Sequence, residues 1–219
     1  MRIIAGKHRG RTIVGPLDER TTRPITDRVK ETLFNRLHAL GALDGGPVVD
    51  VFCGTGSMGL EALSRGASHC TFVDRDRDAT QRLRENLETL GEAERATVVQ
   101  GAAVPSLWVT RLGDATLSVA FVDPPFALAR VDAEPSEEDE TPPVSTGLPN
   151  GMDALLDAIR PKLTPGGVLV YRTDAETHAP EVPGYDGPDR AVYGAMAVYL
   201  YQRPLETAGE RLEGKDAGS

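Results

Sequence analysis

From residue 47 onward, short apolar runs alternate with segments whose apolar residues recur every three or four positions. "PVVDVF" and "HCTFVD" are brief runs rich in Val and Phe and predict buried strands. "GSMGLEALSRG" and "RDATQRLRENLETLG" carry the helical spacing, with Leu83, Leu87 and Leu90 on one face of the second. "ATVVQG" then predicts a strand, residues 103 to 112 a helix, "LSVAFVD" a strand, "GMDALLDAIRPKL" a helix and "GGVLVYRT" a strand. "RAVYGAMAVYLYQR" predicts one or two late strands. Such alternation specifies an α/β domain, a doubly wound and mostly parallel sheet covered by helices. Tyr171, Tyr193, Tyr199 and Tyr201 fall in strand-like runs and read as sheet packing, and Trp108 reads as core.

The first forty residues follow a different pattern. "RIIAGKHRGRTIV" predicts two short strands, near 2 to 4 and 11 to 14, around a glycine-bounded basic turn. A helix follows, with Thr26 as N-cap, Asp27 in the first turn and an apolar stripe of Val29, Leu33, Leu37 and Leu40. Gly41, Gly45 and Gly46 end it. The chain therefore divides into a hairpin-and-helix extension (1–42), a main domain (43–204) and a tail (205–219). Residues 130–151 form a polar surface loop with six acids between Asp132 and Glu140, best read as a solvated insertion. The tail has little to bury and is expected to be disordered.

Composition narrows the class. A chain of 219 residues suits one sizeable domain. No apolar run approaches the ~18 residues of a membrane span, and charge interrupts "MRIIAGKHRGR" too early for a signal peptide. Cys53 and Cys70 have no metal-like spacing, and the four histidines are scattered, so no metal site is expected. The low cysteine count fits a reducing, cytoplasmic setting. Net charge is −9, yet residues 1–36 hold nine Lys/Arg against four acids. Local charge steers a polyanion more than net charge does, so this segment is either a polyanion-binding face or a solvated basic one.

"VVDVFCGTGSMGLEAL" places Gly54, Gly56 and Gly59 directly after the first core strand, a literal GxGxxG. Asp74 closes the next strand 20 residues after Gly54, where an acid accepts bonds from a ribose hydroxyl pair. That pattern alone would suit a dinucleotide-dependent oxidoreductase. Asp50 argues otherwise, because a carboxylate at the strand end, facing the pocket, repels a pyrophosphate. A ligand with an amino group and a sulfonium would be attracted, which favours S-adenosylmethionine. Cys53, in the same loop, reads as small buried packing.

"VAFVDPPFAL" runs an apolar strand into Asp123-Pro124-Pro125-Phe126. In a doubly wound sheet this strand ends on the edge where ligands sit. An exocyclic amine on a nucleobase is weakly nucleophilic because its lone pair is delocalised into the ring. Asp123 and the Pro124 carbonyl can accept its two N–H bonds, and Phe126 can stack on a base that has been unstacked to reach it. Transfer then needs in-line positioning, with Asp123 bonded to the departing proton.

With "RIIAGKHRGR", "TRPITDRVKETLFN", "DVFCGTGSMGLEALSRGA", "VDRD" and "FVDPPF" in order, residues 2 to 203 resemble the bacterial methyltransferases that modify guanine N2 in 16S ribosomal RNA. The resemblance implies a Rossmann-like methyltransferase fold, with cofactor binding by Asp50, Gly54, Gly56 and Asp74. Asp123, Pro124 and Phe126 would hold the guanine. The basic hairpin would engage RNA within a partly assembled small subunit, with Lys7, Arg9 and Arg11 as phosphate contacts. Arg23 and Arg28 flank the helix start, facing RNA or the cofactor cleft, or pairing with Asp27 or Glu31. A monomer is expected. Ala102 departs from the pattern, standing where related enzymes carry a polar residue near the adenine, and the acidic loop is longer than usual. An adenine N6 or other amine methyltransferase is the alternative.

Overall fold

The computed structural model describes residues 1–16, 25–112, 116–125, 151–178 and 180–205. Arg23, Phe126, the acidic loop apart from its last residue, and the tail beyond Leu205 lie outside them. Seven strands form one sheet in the order β3-β2-β1-β4-β5-β7-β6. They are β1 (Val48–Val51), β2 (Cys70–Asp74), β3 (Ala96–Gln100), β4 (Leu117–Val122), β5 (Leu163–Asp174), β6 (Asp186–Tyr193) and β7 (Met196–Gln202). The first five are parallel, and β7 runs antiparallel to both β5 and β6. The doubly wound α/β expectation holds, and the late segment is a hairpin of two strands.

Strand alternation sorts the core into two layers. Val48, Phe72, Val119, Phe121, Val168 and Val170 face α1 (Asp27–Ala39), α2 (Ser57–Ser64) and α3 (Arg77–Leu90). Val49, Val51, Val73, Ala120, Val122 and Leu169 face α4 (Pro105–Trp108) and α5 (Gly151–Ile159). Trp108 is fully buried in this second layer, and Tyr171, Tyr199 and Tyr201 pack there as expected. Among the described residues no helix is long and apolar enough to cross a membrane.

Helix ends follow local chemistry. Thr26 caps α1, accepting the Val29 N–H at 3.4 Å, and Asp76 caps α3, accepting from Asp78 and Ala79. Val29, Leu33 and Leu37 are buried on α1, but Leu40 is 44% exposed. It is the C-cap, one step past the last helical residue, and Phe34 completes the buried stripe instead.

The N-terminal hairpin differs most from expectation. Instead of two strands it forms a single antiparallel bridge, Arg2 to Thr12. Ile3, Gly10 and Ile13 donate across the hairpin, to Arg11, Ile3 and Met1, while α2 takes the donors between: Glu61 accepts the Ile4 and Ala5 N–H groups at 2.7 and 3.0 Å, and the Ser64 carbonyl accepts that of Lys7 at 2.8 Å. Side chains pin the rest. His8 Nε2 lies 2.5 Å from Glu92, and Asn86 exchanges two hydrogen bonds with the Val14 backbone. Ile3 and Ile13 join the same apolar cluster as α1 and the sheet, so the extension shares one core with the main domain.

Candidate active site

The parallel register builds one transverse row at the C-terminal edge of the sheet. Val51 pairs with both Val73 and Val122, and Val122 pairs with Tyr171. The next residues along these strands are Phe52, Asp74, Asp123 and Arg172. Asp50, Asp74, Asp123 and Arg172 share the strand parity of the α1–α3 face. Three carboxylates and one guanidinium thus meet beside the glycine loop.

That loop is tightly specified. Phe52 has φ of 62°, a left-handed conformation that is uncommon for a non-glycine residue. It is held because the N–H groups of Phe52 and Cys53 both donate to the Val73 carbonyl, at 2.8 and 3.2 Å. Gly54 (φ 54°) and Gly56 (φ 86°) carry the turn into α2. A Cβ on Gly54 would meet nothing within 4 Å, so its exposed side is open to a ligand.

The two acids of this loop act differently. Asp74 is half-buried, and its oxygens accept the N–H groups of Gly54 at 2.7 Å and Asp76 at 2.9 Å. It therefore fixes the loop while keeping lone pairs for further donors. Burial raises its pKa, against those two N–H bonds. Asp50 is only 1% exposed and accepts the Gly59 N–H at 2.8 Å, in the first turn of α2. Sequence reasoning has this carboxylate open to the pocket, but the structure turns it beneath the helix, because Gly56 at the N-cap has no side chain to serve that turn. Burial pushes its pKa up to about 7 despite the Gly59 N–H, with Asp123 and Asp74 adding to the rise and Arg172 opposing it.

Asp123 ends β4 on the same edge. Its Oδ1 accepts from Arg172 Nε at 2.5 Å, and Arg172 Nη2 pairs with Oδ2. Burial raises the Asp123 pKa, Arg172 lowers it, and Asp74 adds to the rise. Pro124 is buried behind it and Pro125 exposed. The pairing with Arg172 is not anticipated from sequence, although a lone arginine ending the apolar run "GGVLVYR" is the available signal.

The basic candidates divide. Arg9 and Arg28 are exposed, and among the described residues neither side chain has a polar partner. Lys7 is 65% exposed but lies 3.2 Å from Glu92, and Arg11 donates to the Thr89 carbonyl at 3.0 Å. Asp27 pairs with Arg2 rather than with Arg28. Lys30, unforeseen, is buried, donating to the Arg2 carbonyl at 2.8 Å and to Ser57 Oγ at 3.3 Å. Ala102 is half-buried after β3 and offers no polar side chain there.

The family described as "Conserved hypothetical protein 95" matches residues 1–136. Ribosomal RNA small subunit methyltransferase D of Escherichia coli (strain K12) is 44% identical over 211 residues, covering 96% of this chain and 92% of that protein. The chain belongs to this bacterial ribosomal RNA methyltransferase family.

Other members and neighbours agree with that placement. YlbH of Bacillus subtilis (strain 168) is 33% identical over 204 residues, covering 93% of this chain and 99% of YlbH. The solved structure of Escherichia coli yhhF superposes with a TM-score of 0.69 at 31% identity, over 94% of this chain and 99% of that one. An RNA methyltransferase from Salinibacter ruber, solved with S-adenosyl-L-homocysteine, shares the fold at TM-score 0.52 and 18% identity, over 84% and 95% of the two chains. The Escherichia coli and Bacillus subtilis relatives and this chain thus match over nearly their whole lengths.

Proposed function

We propose that this methyltransferase moves a methyl group from S-adenosylmethionine to the exocyclic N2 of a guanine in 16S ribosomal RNA. The observation that carries the reading is the row at the sheet edge, where Asp123 and the glycine-loop acid Asp74 flank the end of β1, with Arg172 as counter-ion to Asp123. The residues fit the cofactor: Gly54 leaves its outer side open, Asp74 has lone pairs for a ribose, and the carboxylates favour a cationic ligand. Bound there, S-adenosylmethionine supplies an electrophilic methyl group. Gly54 and Gly56 shape its seat, Asp50 contributes negative charge from beneath the loop, and Asp74 takes the ribose.

Asp123 accepts one N–H of the target amine and the Pro124 carbonyl the other, which aims the nitrogen lone pair along the transfer line. As the new N–C bond forms and the S–C bond breaks, the amine proton passes toward Asp123. Phe126 stacks on the flipped base. Arg9 and Arg28, together with Lys7, Arg11 and Arg23, contact phosphate, and the substrate is RNA in an assembling small subunit. The protein acts as a cytoplasmic monomer.

The test uses small subunits from cells lacking the gene, incubated with protein and methyl-labelled S-adenosylmethionine, followed by nucleoside analysis. Label in N2-methylguanosine, absent with Asp123→Ala, supports the reading. Label in N6-methyladenosine, or none on any RNA despite cofactor binding, overturns it.

A further inference from the structure

An aspartate in a turn ordinarily satisfies its carboxylate with the backbone N–H groups that follow it, as Asp76 does with Asp78 and Ala79. Asp123 is denied half of this arrangement, because the residue two positions on is Pro125. Pro124 and Pro125 carry no N–H, so the two nearest donors do not exist. The contrast with Asp74 is direct, since both of its oxygens rest on backbone donors. Among the described residues, the hydrogen-bond donors to the Asp123 side chain come from Arg172.

Arg172 is well built for that task. It sits inside β5, paired with Val198 of β7 and one residue past the last β4 pair, Val122 with Tyr171. Its side chain is 15% exposed and that of Asp123 is 21% exposed, so the pair is largely enclosed but open on one side. Nε meets one oxygen and Nη2 the other, a two-pronged contact that fixes the carboxylate plane. A carboxylate has about four acceptor sites, so this contact leaves roughly two toward the open side. The other charged groups facing Asp123 are acids, Asp74 from β2 and Asp50 from β1. Without a cation here, a largely enclosed carboxylate with two others on one side of it is favoured in its protonated form, which no longer accepts an amine N–H through both oxygens.

We propose that Arg172 is the positioning residue for the methyl-accepting amine, holding Asp123 as an anion in a fixed plane and acting through it. This rests on the role of Asp123 given under the proposed function. The double proline and the arginine then form one device: the prolines remove the two nearest backbone donors, and the strand supplies a replacement whose geometry leaves the catalytic side free.

The experiment compares wild type, Arg172→Gln and Arg172→Lys. Carboxyl-carbon NMR follows the Asp123 titration, assigned with Asp123→Asn, while methyl transfer is measured across pH and cofactor binding by calorimetry. Arg172→Gln is expected to raise the Asp123 midpoint by about one unit or more, the size of effect an adjacent arginine has on a carboxylate. The acid limb of kcat should move with it and kcat should fall roughly tenfold to a hundredfold, while cofactor Kd stays within about threefold. Arg172→Lys keeps the charge but not the fork, so it should restore most of the midpoint and only part of the rate. An unmoved Asp123 midpoint in Arg172→Gln overturns the proposal, as does loss of cofactor binding in step with the loss of rate. If Arg172→Gln does not fold, Arg172→Lys decides alone: wild-type kcat at every pH overturns the proposal, and a reduced kcat on a little-changed acid limb supports it. If wild type transfers no methyl to ribosomal RNA, the substrate assignment fails, and the NMR titration still decides the role of Arg172.

Discussion

The carboxylate of Glu61, inside α2, accepts the backbone N–H of Ile4 at 2.7 Å across 57 residues of sequence. The same group accepts from Ala5 and from Arg65 Nε, with the buried Lys30 ammonium 3.7 Å away. A fully buried acid therefore organises the N-terminal segment and the helix behind the glycine loop together. Glu61→Ala leaves Lys30 without its counter-ion and two backbone donors without an acceptor. It is expected to cost about 3–5 kcal/mol in urea denaturation, the range for breaking one side of a buried ion pair. A loss below about 1 kcal/mol would show that the anchor lies elsewhere.

Gly6 and Gly10 test the docking separately from backbone strain. Their φ values are nearly equal, 82° and 81°, but a Cβ on Gly6 would sit 1.9 Å from the Ser64 carbonyl oxygen while one on Gly10 meets nothing within 4 Å. Gly10→Ala should cost only the left-handed penalty, about 1–2 kcal/mol. Gly6→Ala must also push the segment off α2. Limited proteolysis is expected to cut within residues 1–16 of Gly6→Ala and to spare Gly10→Ala; equal resistance in both variants counts against the docked arrangement.

Asp50 gives a pH signature. Its folded pKa is raised to about 7 from 3.8, chiefly by burial, so between those values the folded protein holds a proton that the unfolded chain has released. Stability of the ligand-free protein should therefore fall as pH rises through that window and level off above it. Asp50→Asn, which keeps an acceptor for the Gly59 N–H, should reduce the slope, leaving the share of Asp74 and Asp123, whose pKa values burial also raises. S-adenosylmethionine affinity should rise as wild type passes about pH 7 and stay flat in the variant. Calorimetry across that range checks both, and an unsloped wild type contradicts the assignment.

Glu92 has the opposite sign. Burial pushes its carboxyl up, but hydrogen bonds from His8, Arg95 and Lys7 more than offset this and hold it below 4.5. Its contribution is complete above that value and is lost as pH falls through the lowered pKa. The stability gap between wild type and Glu92→Gln should be constant near neutrality and narrow on acidification below 4.5. A gap unchanged by acid would mean that the charge on Glu92 does not hold the hairpin.

The parallel sheet and its helical layers are legible because strand and helix periods alternate from Val48 to the start of β5 at Leu163. The glycine loop and the Asp-Pro-Pro turn were legible as local patterns. What sequence concealed was pairing across distance. Arg172 meets Asp123 over 49 residues, and Glu61 meets Ile4 through a helix face that looks like ordinary amphipathic filler. The hairpin pairs as its alternation predicts, through Arg2 and Thr12, but only briefly, because side chains of α2 and α3 take the backbone N–H groups of Ile4, Ala5 and Val14. Asp50 was placed correctly along the chain, while its orientation depended on Gly56 leaving an uncapped turn above it.

The anchors of the N-terminal segment carry a consequence for the order of synthesis. Residues 1–14 find their partners at Glu61, Ser64, Asn86 and Glu92. At roughly 5–20 residues per second, the segment waits on the order of ten seconds for the last of these to be made. Its basic residues therefore leave the ribosome before α2 and α3 and settle only after them. Docking of this segment reports that α2 and α3 are complete, so the face bearing Arg9 takes its final shape only once the glycine loop is already in place.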